Sequence, residues 1–155
     1  MTTFQTFEDI EAWQMARRLT FDIYGASKKS PFAKDFGLQK QIRDASVSIM
    51  ANIAEGFERS GSREFQQFLA IAKGSAGEVI SHLYVALGQG YINDEEFRRL
   101  VNLARDTGRK IGGLMAYLRK SDLRGPKYKT SARRHPSGKG LEPDTGHEPR
   151  DSKRQ

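Results

Sequence analysis

Four segments of the chain repeat their apolar residues at helical spacing, and this periodicity limits the possible folds more than any other feature. The segments span residues 7–28, 37–57, 62–87 and 94–120, separated by breaks at Ser30 and Pro31, around 56–62 and at 88–93. Short connections between helices of matched length favour antiparallel neighbours. We predict an all-α domain over residues 1–120, folded as an antiparallel up-down-up-down four-helix bundle.

Residues 121–155 have a different composition. They hold four of the five prolines, few large apolar residues, and nine Lys or Arg residues against five acids, which accounts for +4 of the net charge of +7. Such a segment cannot bury enough apolar surface to offset the entropy lost on ordering. We therefore expect a disordered basic C-terminal tail.

Composition also limits the chemistry and the location of the protein. The chain has no cysteine, which excludes disulfides, thiolate metal sites and thiol nucleophiles. It has neither the apolar run of about 18 residues that a membrane span needs nor the features of a signal peptide at its N-terminus. We expect a soluble, cytoplasmic protein whose positive charge favours a polyanionic partner.

Several helix ends can be located in the sequence. Thr6 precedes two acids and Asn93 precedes three, so each can cap the helix that follows it. The cap of the third helix is one of three neighbours, Ser60, Gly61 or Ser62. Gly56 either permits close packing or ends the second helix.

The first helix is apolar around most of its circumference. At about 100° per residue, Trp13, Phe21 and Tyr24 lie outside the stripe that the core of a bundle requires. The second helix has a similar excess, which includes Val47 and Met50. We expect this surface to form the interface of a homo-oligomer. Alternatively, helix one lies deeper in a monomeric bundle, covered by loops and by the start of the tail.

Polar residues form a line along each of two helices. The second helix carries Gln41, Ser48, Asn52 and Glu55, and the third carries Ser75, Glu78 and His82. If the helices are adjacent, these groups predict a hydrogen-bonded polar layer, since each buried bond left unmade costs about 1–3 kcal/mol. The alternative is that both lines are solvated helix edges. We expect no metal, because di-iron bundles use two Glu-x-x-His motifs and the chain has one Glu78-x-x-x-His82.

The fourth helix carries a row of cations opposite its apolar face. Arg98, Arg105 and Arg109 lie within about 20° of one another at helical spacing. Four further cations lie near this row, namely Arg99, Lys110, Arg119 and Lys120. No aromatic residue interleaves with the arginines, which favours contacts with the nucleic-acid backbone and low sequence specificity. Alternatively, this is a solvated face whose charge is compensated by acids such as Asp94 and Asp106.

Four motifs resemble a known family: FEDIEAWQMARRL, LQKQIRDASVSIMANIAEGF, SREFQQFLAIAKGSAGE and LGQGYI. In order and spacing, over about residues 4–118, they are similar to the bacterial four-helix bundle proteins of the 23S ribosomal RNA intervening-sequence family. This family includes relatives of the accessory protein of diversity-generating retroelements. The sequence departs from the family pattern at Ala76 and Gly77, where a larger apolar residue is usual, and at Gly61, which replaces a serine cap.

The resemblance implies an antiparallel bundle that assembles into a ring, typically a pentamer, without enzymatic activity. In the retroelement relatives, the basic ring engages nucleic acid and a reverse transcriptase. Together with the basic row, this favours a noncatalytic, oligomeric protein that associates with RNA or DNA, RNA being the preferred ligand. The alternative is a scaffold ring that docks a protein such as a reverse transcriptase. We expect no cofactor and no catalytic residues, because the chain lacks a nucleophile with a base and a phosphate-cradling glycine loop.

Overall fold

The computed structural model describes residues 3–123, which form an antiparallel bundle of four α-helices. These are α1 Glu11–Ser27, α2 Phe36–Glu58, α3 Ser62–Gly88 and α4 Asp94–Leu123, and single 3-10 turns at Phe7–Asp9 and Phe32–Lys34 precede α1 and α2. There is no β-strand within residues 3–123. The all-α four-helix prediction is confirmed. The expected tail lies outside the described residues from 124 onward, and α4 continues through 121–123, beyond its predicted end.

Each helix packs against its neighbours in the chain, and α1 also packs against α4, so the helices form a closed square. Glu11 at the start of α1 contacts Lys110 late in α4, whereas Asp22 near the end of α1 contacts Arg99 early in α4. Helices α1 and α4 therefore run in opposite directions. The square leaves α2 diagonally opposite α4.

The predicted start of the first helix at residue 7 is wrong. The Asp9 carboxylate accepts hydrogen bonds from the backbone N–H groups of Gln5 at 2.9 Å and Thr6 at 3.0 Å, which fold residues 7–9 into a separate 3-10 turn. These bonds to Thr6 and Gln5 lower the pKa of Asp9. Ile10 then adopts an extended conformation and is buried, so that α1 begins at Glu11.

The other helix starts are closer to expectation. Asn93 caps α4, because its Oδ1 accepts a hydrogen bond from the backbone N–H of Glu96 at 2.8 Å. Asp35 caps α2 in the same way, through Leu38 at 3.0 Å. Gly61 is the cap residue of α3 but has φ of −113°, whereas Ser60 takes the left-handed conformation with φ of 63°.

The core is a continuous layer of aliphatic side chains from all four helices. Ile23, Ile49, Leu83 and Ile111 are each no more than 1% exposed. Gly56 permits close packing of α2 on α3, because a Cβ atom there would lie 2.6 Å from the Cβ of Phe68. It does not end α2, which continues to Glu58. Within the described part of the chain, no helix is long and apolar enough to cross a membrane.

Candidate nucleic-acid interface

The cations of the fourth helix lie on one exposed outer surface of the bundle. Because Leu100, Ala104 and Ile111 are completely buried, the side of α4 opposite them faces solvent. This side carries five exposed cations, which we call the α4 basic face: Arg98, Arg105, Arg109, Arg119 and Lys120. Arg98, Arg105 and Arg109, which helical spacing places in one outward stripe, are exposed, and so are Arg119 and Lys120 near it.

One cation of the α4 basic face and one beside it form ion pairs with carboxylates. Arg109 pairs with Asp106 on the same helix at 2.9 Å, and Lys110 pairs with Glu11 of α1 at 2.9 Å. Lys110 therefore points towards α1 and lies beside the α4 basic face, not on it. Exposed pairs of this kind contribute at most about 1 kcal/mol to stability, so a phosphate can compete for both cations.

The other cations of the α4 basic face have no carboxylate partner within residues 3–123. Arg98, Arg105, Arg119 and Lys120 take part in none of the ion pairs found there. Asp94, proposed from the sequence as a compensating acid, forms no ion pair in this part of the chain either. Four positive charges thus remain available on one face.

Sequence reasoning missed a cation that α3 contributes to the same surface. The Nζ of Lys73 lies 3.6 Å from the position that a Cβ atom of Gly112 would occupy. Lys73 is exposed and, within residues 3–123, has no ion-pair partner. The absence of a side chain at Gly112 lets the lysine lie against α4. Nothing in the periodicity of α4 could have indicated this contact.

A shallow groove between α1 and α4 adjoins the α4 basic face. Its lining contains both ion pairs and an apolar floor, and consists of Glu11, Met15, Asp106, Arg109, Lys110, Gly113 and Leu114. The two carboxylates make this groove less attractive to an anion than the open face beside it. No three His, Cys, Asp or Glu side chains within the described range are placed to hold a metal ion together.

Of the seven residues in the two predicted polar lines, three form a hydrogen-bonded group. The hydroxyls of Ser48 and Ser75 lie 3.0 Å apart across α2 and α3, and the Asn52 amide donates to the Ser48 carbonyl at 2.8 Å and to its hydroxyl at 3.0 Å. The contact between Ser48 and Ser75 joins the two helices near their midpoints, and Asn52 bonds within α2. Of the other four, Gln41, Glu55 and Glu78 are exposed, and His82 is half-buried outside this group. The three exposed residues lie on the solvated side of the line, and Glu55 pairs with Arg59 on its own helix.

The aromatic residues predicted for an oligomer interface differ in exposure. Phe21 is 79% exposed and Tyr24 is 42% exposed, with the Arg43 guanidinium 4.4 Å from the centre of the Tyr24 ring. Trp13 is half-buried and meets Phe7 edge to face at 5.2 Å. On α2, Phe36 is 76% exposed, which the sequence reasoning missed although it stands just after the Asp35 cap.

A solved structure shares this fold. It is the crystal structure of a protein of unknown function from the S23 ribosomal protein family of Bacteroides thetaiotaomicron VPI-5482, with a TM-score of 0.63 and 22% sequence identity. The similarity covers 68% of this chain and 95% of that one. A comparison with curated proteins found no match.

A family model assigns the chain more directly. The model described as 23S rRNA-intervening sequence protein matches residues 8–113, which is more than half of the chain and includes α1, α2, α3 and most of α4. The motifs noted in the sequence lie within or at the edge of this range. The chain therefore belongs to the 23S rRNA-intervening sequence protein family.

Proposed function

We propose that this protein is a noncatalytic, oligomeric RNA-associated protein that binds the phosphate backbone through the α4 basic face. The observation that carries the proposal is the set of four exposed cations, Arg98, Arg105, Arg119 and Lys120, without a carboxylate partner in residues 3–123. Unpaired surface cations bind phosphates by releasing counterions from the nucleic acid. The family name, which refers to 23S rRNA, supports RNA as the ligand.

The chemistry of the face favours low sequence specificity. Arginine and lysine contacts to phosphate position a nucleic acid but carry no direct information about its sequence. The proposal that the protein is noncatalytic rests on the sequence, which lacks the nucleophile, base and phosphate-loop motifs described above. Binding, not turnover, is therefore the activity that we assign.

Self-association would strengthen such weak contacts by repeating them. The exposed Phe21 and Tyr24 on α1 and Val47 on α2 leave apolar surface on one bundle that a second copy can cover. A ring of subunits, such as the pentamer implied by the family resemblance, would repeat the α4 basic face around its circumference. Several linked sites bind one polyanion far more tightly than one site does.

The mass of the purified protein tests this assembly. Light scattering during gel filtration should give a multiple of 17.5 kDa at micromolar protein concentration. A monomeric mass would refute self-association. The exposed apolar side chains would then be available to bind a different protein. That outcome would favour the scaffold alternative, in which a partner such as a reverse transcriptase occupies the surface.

Fluorescence anisotropy with labelled structured RNA tests the binding. For four phosphate contacts, affinity should fall about a hundredfold between about 50 and 200 mM salt. The double variant Arg98→Ala and Arg105→Ala should reduce the slope of log affinity against log salt by about 2. A suitable control is Lys40→Ala with Arg59→Ala, which removes the same charge from α2 and from the residue that caps its C-terminus, since α2 lies diagonally opposite α4.

Two results would exclude this function. RNA binding that is absent at low salt, or that does not weaken as salt rises, is incompatible with a phosphate-binding face. An equal loss of slope in the α2 control would mean that net charge, not the α4 basic face, determines the affinity.

A further inference from the structure

We infer that the ligand of the α4 basic face is duplex RNA and not single-stranded RNA. This inference rests on the proposed function and specifies its ligand. Three features of the surface support it. The row of cations is rigid, no aromatic residue lies within the row, and the side chains between the cations are small.

The cations of the α4 basic face are fixed at defined positions along one uninterrupted helix. α4 spans 30 residues, and at 1.5 Å per residue Arg98 and Lys120 are about 33 Å apart along its axis. A duplex also holds its phosphates at fixed spacing, so both partners are ordered before they meet. A flexible single strand must be ordered along this row, and that loss of conformational freedom opposes its binding.

The row offers no platform on which unpaired bases could stack. The residues that lie among its cations are small or polar, namely the exposed Asn102 and Gly113 and the half-buried Gly112 and Ala116. Tyr117 is 46% exposed and lies at the edge of the row, about 80° around the helix from Arg109 and about 60° from Lys120, so it offers a single ring and not a series of rings along the cations. Proteins that bind single strands usually combine a basic groove with stacking aromatic side chains. A duplex encloses its bases and presents phosphates, which this face can bind.

The residues between the cations are small, so no side chain protrudes from the surface there. A Cβ atom at Gly113 would meet nothing within 4 Å, and one at Gly112 would meet only Lys73. On this side of α4, no bulky side chain between Arg109 and Arg119 therefore prevents a broad, stiff ligand from approaching the helix. Lys73 supplies a further cation from α3 beside this low region, which widens the row towards the second strand of a duplex.

Asn102 provides a way to distinguish RNA from DNA. It is exposed on α4 between Arg98 and Arg105, within about 60° of each. Its amide can both donate and accept a hydrogen bond. The wide, shallow minor groove of A-form RNA displays 2′-hydroxyls, which DNA lacks. Phosphate contacts from the arginines on either side would place this groove within reach of the amide.

The inference is tested with three labelled probes and the full chain. They are an RNA duplex of about 20 base pairs, a cytidine–adenosine RNA repeat with the same number of phosphates that cannot pair with itself, and a DNA duplex of matched length. The slope of log affinity against log salt is about −0.9 per phosphate contact for a duplex and about −0.7 for a single strand. If both probes bind equally at about 1 M salt, four contacts predict about tenfold tighter binding of the duplex near 50 mM salt. Arg98→Ala with Arg105→Ala leaves two contacts and should reduce this preference to about threefold.

The preference for RNA over DNA is measured in the same experiment. Loss of one hydrogen bond in Asn102→Ala should reduce the RNA-to-DNA affinity ratio by about two- to tenfold. The salt slope should be unchanged, because no charge is removed. Ser121→Ala, which removes a neutral polar group from α4 away from the row, is the matched control.

The possible outcomes separate this inference from the proposed function. If no probe binds at low salt, the proposed function is wrong. If the single strand binds as tightly as the RNA duplex, or the DNA duplex binds as tightly as the RNA duplex, the protein still binds nucleic acid but the assignment to duplex RNA is overturned. An RNA-to-DNA ratio that is unchanged in Asn102→Ala would remove Asn102 from the mechanism.

Discussion

Gly56→Ala should destabilise the bundle although alanine is the better helix former. A Cβ atom at position 56 would lie 2.6 Å from the Cβ of Phe68 and 3.2 Å from the Cδ1 of Phe65. The Cβ of Phe68 is bonded directly to the backbone of α3 and cannot rotate away. To restore ordinary contact, α2 and α3 must separate locally by about 1 Å, which disturbs the close-packed layer between them.

Two opposing terms determine the net effect. Replacing glycine by alanine inside a helix gains up to about 1 kcal/mol from backbone propensity. Overpacking a dense interior costs about 1–3 kcal/mol and occasionally more. Since a contact this short cannot be relieved by a side-chain rotation, we place the cost at the upper end. The expected net loss is about 1–2 kcal/mol in the free energy of unfolding.

Gly74→Ala is the matched control. Gly74 lies inside α3, is exposed, and a Cβ atom there would meet nothing within 4 Å. This variant gains the propensity term without the packing cost, so it should be more stable by about 0.5–1 kcal/mol. The difference between the two variants isolates the packing of α2 against α3.

Urea unfolding followed by far-ultraviolet circular dichroism measures both variants. Protein concentration must be held constant, because assembly makes the apparent stability depend on it. If Gly56→Ala stabilises the protein as much as Gly74→Ala does, the close approach of α2 to Phe68 is not present in solution and the account of Gly56 fails.

Three further changes test other parts of the molecule. Phe21→Ser should weaken self-association by about tenfold or more, measured by light scattering across a dilution series, and an unchanged mass would show that Phe21 lies outside the interface. Asp106→Asn should release Arg109 for phosphate and steepen the salt slope of RNA binding by about 1, whereas a shallower slope would contradict the competition between carboxylate and phosphate. A hydrogen bond to Asp35 at 3.0 Å, together with burial and the negative charge of Asp35, raises the pKa of Tyr91 above its usual value. Its contribution to stability is therefore complete below about pH 10 and is lost as the pH rises through the folded pKa. Tyr91→Phe should lower the urea midpoint at neutral pH and reduce the loss of stability above pH 10, and an identical alkaline loss in both proteins would exclude this role.

The sequence alone was sufficient to predict the four helices and their antiparallel order. Both depend on local signals, namely the spacing of apolar residues, the capping residue Asn93 and the shortness of the connections. Periodicity also predicted which side of α4 is exposed, because burial of Leu100 and Ile111 on one side turns Arg98 and Arg105 to the other. The family resemblance in the sequence agrees with the match to residues 8–113.

Predictions from local sequence patterns were wrong where a contact with the backbone or with a distant residue determined the structure. Helix one starts at Glu11 because Asp9 binds the N–H groups of Gln5 and Thr6, a choice that apolar spacing cannot reveal. Along the polar line on α2, spacing could not distinguish Ser48, which contacts Ser75, from the solvated Glu55.

The charge pattern of the candidate site was decided by tertiary structure. Lys110 pairs with Glu11, and Lys73 lies against Gly112, although each pair is far apart in the sequence. Helical periodicity fixes the direction in which a side chain leaves its own helix. Which cations remain free for a phosphate depends on what the neighbouring helix places opposite them, and only packing of the whole bundle determines that.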